Sequence, residues 1–145
     1  MRIEAKHLQQ WIQEGVAFAL PSRITNVLIG HLEKKLPWSP TGTRLDWDTI
    51  NGTELNLSQL SEGNGAAWLS STSLRDDAYL IFVLGRNEPC FACKTELGIA
   101  SVDYIFSGLP GIHYLFGGDG CDGSIQPRLD HFAEYDGMYR LVVAT

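Results

Sequence analysis

Cysteine and histidine are the residue types whose spacing most directly suggests chemistry in this 145-residue sequence. Cys90 and Cys93 form a C-x2-C pair, and together with His113 and Cys121 they have the composition of a Cys3His zinc site. However, a second C-x2-C pair is absent, and Cys90 and Cys93 fall in a predicted strand, where an odd separation directs side chains to opposite faces. We therefore predict no metal site and keep a zinc-binding module as an alternative.

The glycine-rich segment Gly117 to Gly123 contains two aspartates, a composition that also occurs in ion-binding loops. Asp119 and Asp122 are three positions apart and lack the alternating acids and the distant glutamate of a calcium loop. The segment also lacks the lysine of a phosphate-binding loop, and its own carboxylates would repel phosphate. The sequence predicts a polar turn here.

No motif for nucleophilic or metal-assisted catalysis is found, neither G-x-S-x-G nor H-E-x-x-H. His7 and His31 lie at the edges of apolar helical faces, which favours structural histidines. His131 follows Asp130, a carboxylate that can tune an imidazole, but any acidic segment produces such a neighbour. We predict a protein with no catalytic activity and no cofactor. A small-molecule-binding domain, or an enzyme of unrecognised class, is a further alternative.

Helical periodicity predicts two helices near the N-terminus. The first ends at Gly15, and the second begins with Ser22 as its N-cap and stops before Pro37. Their apolar positions are Ile3, Leu8, Trp11 and Ile12 in the first helix, and Ile24, Val27, Leu28, Leu32 and Leu36 in the second. An irregular stretch, 37–65, follows the second helix. We predict that Trp38 and Trp47 hold this stretch against the core.

Most of the remaining chain has β character. Tyr79 to Leu84 is continuously apolar, as a strand buried on both faces would be. Other predicted strands are Ala66 to Ser71, Cys90 to Glu96, Ile112 to Phe116 and Met138 to Ala144, with a strand or helical turn at Leu55 to Leu60. Short helical segments are predicted after Ser101 and over Leu129 to Ala133. The sequence thus predicts one α+β domain, 1–145, with two N-terminal helices packed on a mainly antiparallel sheet of about five strands.

The net charge of −6 is distributed unevenly along the chain. Residues 103–136 carry six acidic side chains and one basic side chain, a net of −5. Such a field repels nucleic acid and favours a cationic protein partner, although acids also keep small proteins soluble. The predicted partner-binding residues are Asp119, Asp122, Asp130, Glu134, Tyr135 and Asp136.

The expected compartment is the cytoplasm. The longest apolar runs have the length of one strand, so no membrane association is predicted. Residues 1–6 mix charges and lead into no apolar signal-peptide core, and three cysteines do not indicate a disulfide framework.

In size, acidity and α+β arrangement, the chain resembles small bacterial toxin-immunity proteins. The supporting stretch at the residue level is the acidic and aromatic run from Asp130 to Tyr139, DHFAEYDGMY. The resemblance implies a non-catalytic antidote that binds a cognate toxin, often a basic nuclease. It also implies fast, salt-sensitive association between complementary charges.

Overall fold

A computed structural model describes residues 9–38, 40, 45–56, 72–84, 90–100, 112–121, 124–136 and 140–144. The helices are α1 at residues 9–13, α2 at Ser22–Lys34 and α3 at residues 95–100, with a 3-10 helix at Ser73–Asp76. The strands are β1 Ala17–Ala19, β2 Gly52–Asn56, β3 Tyr79–Val83, β4 Phe91–Lys94, β5 Ile112–Cys121, β6 Ser124–Asp136 and β7 Arg140–Ala144.

The strands form one sheet in the order β1-β4-β3-β5-β6-β7-β2. Every neighbouring pair is antiparallel. The predicted α+β class with an antiparallel sheet is confirmed. Among the described residues the sheet has seven strands rather than about five. Strand β1 and most of β2 carry no clear β pattern in the sequence, and β6 was not predicted as a strand.

Both faces of the sheet are covered by apolar packing. Along β3, Leu80 and Phe82 belong to one buried cluster, while Ile81 and Val83 belong to another, as period-two alternation requires. The face that packs against α2 is called the α2 face, and the opposite face, which packs against Trp11 of α1 and Ile99 of α3, is called the α3 face. The two predicted N-terminal helices therefore lie on opposite faces.

Helix α2 is the element that its sequence specifies best. Ile24, Leu28 and Leu32 repeat every four residues and are buried on the α2 face, whereas Val27 remains 44% exposed. The helix starts one position away from the predicted cap. Pro21 is the N-cap, and its carbonyl accepts hydrogen bonds from the backbone N–H groups of residues 24 and 25, both 3.0 Å long.

Strands β5 and β6 include two segments that were predicted as a turn and as a helical turn. The segment from Gly117 to Cys121, predicted as a turn, continues β5 and pairs with Arg128 to Ser124 of β6. The helical turn predicted over Leu129 to Ala133 is wrong, because those residues lie within β6. A bulge in β6 breaks the period-two alternation there, so the apolar spacing imitates a helix.

The end of β4 also differs from the prediction. The strand ends at Lys94, and residues 95–100 are helical, so Thr95 and Glu96 leave the predicted strand. The strand predicted over residues 66–71 and the helix predicted to begin at Ser101 lie outside the described residues.

Candidate functional site

A buried aspartate at the end of the 3-10 helix is the centre of the candidate site. Asp77 follows Ser73–Asp76, and its side chain is only 2% exposed. It fits because residue 117 of the neighbouring strand is glycine. A β-carbon at Gly117 would overlap the Asp77 carboxylate. The absence of a side chain at Gly117 therefore leaves room for the Asp77 carboxylate beside the β5 backbone.

The same point of the sheet carries the bulge in β6. Phe116 pairs with Phe132, but its neighbour Gly117 pairs with Arg128, which leaves residues 129–131 of β6 without partners on β5. An expansion of this kind bends the strand and redirects its side chains. It brings Arg128 and His131 to the Asp77 carboxylate from one side.

Five side chains meet here and are called the bulge cluster: Asp77, Asp119, Arg128, Asp130 and His131. Nδ1 of His131 lies 3.1 Å from Oδ2 of Asp77, and Nη2 of Arg128 lies 3.5 Å from Nε2 of His131. Nη1 of Arg128 lies 3.1 Å from Oδ2 of Asp119 and 3.6 Å from Oδ1 of Asp77. Its Nε lies 3.8 Å from Oδ1 of Asp130.

The charges of the bulge cluster do not balance. Three carboxylates surround one guanidinium, so the cluster has a net charge of −2 while His131 is neutral. The side chains of Asp119 and Asp130 are 54% and 76% exposed, whereas Asp77 is enclosed. Hydrogen bonding to Asp119 raises the pKa of Arg128 further, with the charges of Asp119, Asp77 and Asp130 acting in the same direction. The surplus negative charge therefore faces solvent.

The Asp77–His131 pair resembles the orienting half of a catalytic dyad, in which a carboxylate holds one imidazole nitrogen and frees the other to accept a proton. Here the second nitrogen of His131 faces the guanidinium of Arg128 at 3.5 Å. That position is taken by a permanent cation instead of a substrate hydroxyl. The geometry is that of a charge network that fixes a surface.

Glu134 lies in a separate environment and is not on the surface. It is 1% exposed. Oε2 accepts hydrogen bonds from the backbone N–H of Leu45, at 2.9 Å, and from the hydroxyl of Tyr114, at 3.3 Å. Oε1 accepts one from the indole N–H of Trp47, at 3.3 Å. Glu134 therefore fastens segment 45–50 to the α2 face.

Both tryptophans hold their stretch of chain against the core, which confirms the prediction for residues 38 and 47. Trp38 donates a hydrogen bond of 2.6 Å to the carbonyl of Leu32, and its ring meets Tyr114 edge to face at 6.2 Å. Trp47 packs on Phe132 at 5.8 Å between ring centroids.

The predicted partner-binding residues divide into three groups. Asp119 and Asp130 are exposed and meet at Arg128. Glu134 and Tyr135, at 1% and 4% exposure, are buried on opposite faces, so their predicted surface position is wrong. Asp136 occupies the end of β6, paired with Arg140 of β7, and Asp122 lies outside the described residues. The reason for the error is that β6 is interior to the sheet and alternates between two covered faces.

The zinc alternative fails at the first pair of ligands. Cys90 belongs to the buried cluster of the α2 face and Cys93 to that of the α3 face, so the two thiols diverge. His113 is buried, with Nδ1 2.9 Å from the carbonyl of Leu84. Among the described residues, no group of three or more His, Cys, Asp or Glu side chains is arranged to hold a metal. Burial raises the pKa of Cys93 to about 12, and burial also raises that of Cys90, opposed by a hydrogen bond with Thr25.

An open depression of about 460 Å³ borders the buried aspartate. It is lined by Arg75, Asp77, Ala78, Tyr79, Lys94, Thr95 and Glu96. Small-molecule sites are usually enclosed and mainly apolar, whereas this lining is largely charged and polar. The depression therefore gives little support to the small-molecule alternative.

Sequence reasoning did not identify Asp77, Arg128 or Gly117 as site residues, and the carboxylate that it considered for His131 was the adjacent Asp130. The imidazole bonds to Asp77, which lies 54 residues away along the chain, rather than to its neighbour Asp130. The glycine pair at 117 and 118 was the available signal, because glycine within a strand often marks a close approach.

Within the part of the chain that is described, no helix has both the length and the apolar character needed to cross a membrane. Comparison with models of known protein families gave no match, and neither did comparison with curated protein sequences.

Proposed function

We propose that this chain is a non-catalytic binding protein of the bacterial immunity type, which neutralises a basic toxin domain through the acidic surface at the β6 bulge. One observation carries the proposal: the bulge cluster holds three carboxylates against one guanidinium, and the surplus charge is on the exposed Asp119 and Asp130. A partner rich in lysine and arginine is the complement of such a surface.

Contacts with buried parts of the fold hold part of the bulge cluster in position. Arg128 links the exposed Asp119 to the buried Asp77, and Asp77 is braced by the β5 backbone. Asp119 is carried on the paired strand β5 and is tied through Arg128 to a buried anchor, so it loses little freedom on binding, which favours affinity. Neighbouring Asp76, 74% exposed, and Arg75, 65% exposed, extend the charged surface onto the 3-10 helix.

The proposed surface is smaller than the acidic stretch 103–136 of the sequence. Glu134 and Tyr135 support the fold from inside and do not contact the partner. The proposal therefore assigns the electrostatic attraction mainly to Asp119 and Asp130, and it expects those charges to act on the rate of association more than on the rate of dissociation.

The polypeptide encoded by the gene adjacent to this one provides the first partner to test, because antidotes and toxins are expected to be encoded together. Its purified form is mixed with this chain, and association rates are measured at increasing salt. We expect the Asp119→Asn/Asp130→Asn double variant to associate roughly five- to tenfold more slowly at low salt, with a shallower salt dependence. Co-expression then tests whether the chain relieves growth inhibition by that polypeptide.

Glu14→Gln provides the control, since it removes an exposed carboxylate near the β1 edge of the sheet, away from β6. Glu14 precedes β1 by three residues, and β1 is separated from β6 by three strands. This control is expected to associate at the wild-type rate. Failure to form a complex, or association that is indifferent to salt and to the double variant, would contradict the proposal.

A further inference from the structure

His131 lies between partners of opposite charge, an arrangement that the binding proposal does not use. One ring nitrogen faces the carboxylate of Asp77 at 3.1 Å, and the other faces the guanidinium of Arg128 at 3.5 Å. We propose that protonation of His131 acts as a switch that moves Arg128 from an inner position, against His131 and Asp77, to an outer position against Asp119 and Asp130.

The inner position requires a neutral imidazole. Asp77 is a hydrogen-bond acceptor, so Nδ1 of His131 carries the proton and donates it to Oδ2. Nε2 then has a lone pair, which accepts from Nη2 of Arg128. When Nε2 is protonated it becomes a donor with a positive charge, and the guanidinium is both repelled and deprived of its acceptor.

The outer position already has its acceptors. Nη1 of Arg128 bonds to Asp119 at 3.1 Å, and Nε lies 3.8 Å from Asp130. The contacts that must break are those to Oδ1 of Asp77 at 3.6 Å and to Nε2 of His131 at 3.5 Å, both longer than the bond to Asp119. The protonated imidazole keeps its bond to Asp77, so the buried carboxylate does not lose its cationic partner.

Asp77 and Arg128 are the charged groups that contact the imidazole. Asp77 is preceded by Arg75 and Asp76, which pair at 3.7 Å, and it borders a depression that Lys94 and Glu96 also line. On the other element near this segment, His31 of α2 bonds to the backbone of Leu129, two residues before His131. Asp77 is the carboxylate in hydrogen-bond contact with the ring, and its enclosure keeps solvent from screening that attraction.

The switch changes the surface that it occupies. Protonation takes the cluster from −2 to −1, and the guanidinium then lies over the two exposed carboxylates. Protonation of His131 thus weakens the acidic surface. The inference concerns the free protein and does not rest on the proposed function, although it would make binding there depend on pH.

The test follows the His131 ring nitrogens and the side-chain Nε–Hε group of Arg128 by NMR from about pH 8 to about pH 5, the range in which histidine changes charge. We expect the Arg128 resonance to shift with the same midpoint as His131 in the wild-type protein. A wild-type Arg128 resonance that stays constant while His131 titrates would overturn the switch, whatever the variants do.

Two variants show whether His131 is the group that causes the pH-dependent shift of Arg128. In His131→Gln the pH-dependent shift of Arg128 should be lost, because the amide does not gain charge. His31→Gln, which removes a different histidine, should leave the shift unchanged. An Arg128 shift that persists in His131→Gln, or that disappears in His31→Gln, would also overturn the proposal. Neither measurement uses a partner, so its outcome is independent of whether the binding proposal holds.

Discussion

Two buried carboxylates, Asp77 and Glu134, show how differently one molecule uses the same chemical group. Asp77 is paired with charged or chargeable groups, Arg128 and His131, at the edge of solvent. The described residues that donate to Glu134 are neutral: a backbone N–H, an indole and a phenol. Asp77 organises a surface, whereas Glu134 joins two parts of the core.

The two environments should respond to different perturbations. The ionic contacts of Arg128 depend on charge and are partly exposed, so salt and pH act on them. The bonds to Glu134 depend on matched donors in a dry environment, so removal of the acceptor is the perturbation that matters.

The largest effect is expected for Glu134→Ala. It leaves the N–H of Leu45, the indole of Trp47 and the hydroxyl of Tyr114 without their acceptor. We expect the free energy of unfolding to fall by about 3 kcal/mol. Urea unfolding followed by tryptophan fluorescence measures it. Glu134→Gln, which keeps one carbonyl oxygen, should lose roughly half as much, and a loss as small as that of the exposed control Glu14→Ala would contradict the assignment.

The next effect tests the close approach of Asp77 to β5. Gly117→Ala is expected to lower the free energy of unfolding by about 2 kcal/mol, because its β-carbon overlaps the carboxylate. In an Asp77→Ala background the penalty should shrink by about 1 kcal/mol or more, since only the β-carbon of residue 77 remains, 3.2 Å away.

Gly30→Ala is the matched glycine control for that cycle. Gly30 lies within α2, and a β-carbon there meets nothing within 4 Å. The substitution should stabilise the helix by about 0.5–1 kcal/mol. Equal penalties for Gly117→Ala in both backgrounds would show that Asp77 is not the obstacle.

A smaller effect separates the bulge cluster from the surroundings of Glu134 by their response to salt. The coupling between Asp119 and Arg128, from a double-mutant cycle with Asp119→Asn and Arg128→Gln, is expected to be favourable at low salt and to fall at high salt. The coupling between Glu134 and Trp47, from Glu134→Gln and Trp47→Phe, is expected to be about 1 kcal/mol and to stay constant. Equal salt dependence of the two couplings would remove the distinction.

The elements that local pattern determines were predictable from the sequence. The four-residue repeat of Ile24, Leu28 and Leu32 predicted α2, and the continuous apolar run at 79–84 predicted β3. In each case, the apolar pattern that specifies the element lies within one continuous stretch of the chain. Strand β1, with three residues, is too short to show any period.

The candidate site depends on pairings that local pattern does not contain. The bond from Leu45 to Glu134 spans 89 residues, and that from His131 to Asp77 spans 54. The bulge that gathers the cluster is a property of the β5–β6 register. Charge density in the sequence therefore indicated the right strand, but it could not separate the exposed Asp130 from the buried Glu134 four residues later.

The smallest effect is expected for His31. Its ring meets Phe116 edge to face at 6.3 Å, whereas the ring of His131 contacts the carboxylate of Asp77. Burial lowers the pKa of His31 below 6.5, opposed by a backbone hydrogen bond with Leu129 and assisted by the charge of Lys35. The unfolded chain thus binds a proton more readily than the folded chain. The stability that this group confers is complete above about pH 6.5 and declines as the pH falls toward the lower folded value. Urea midpoints at about pH 8 and about pH 5.5 should therefore differ less in His31→Gln than in the wild type. An unchanged difference would assign the pH dependence to other groups.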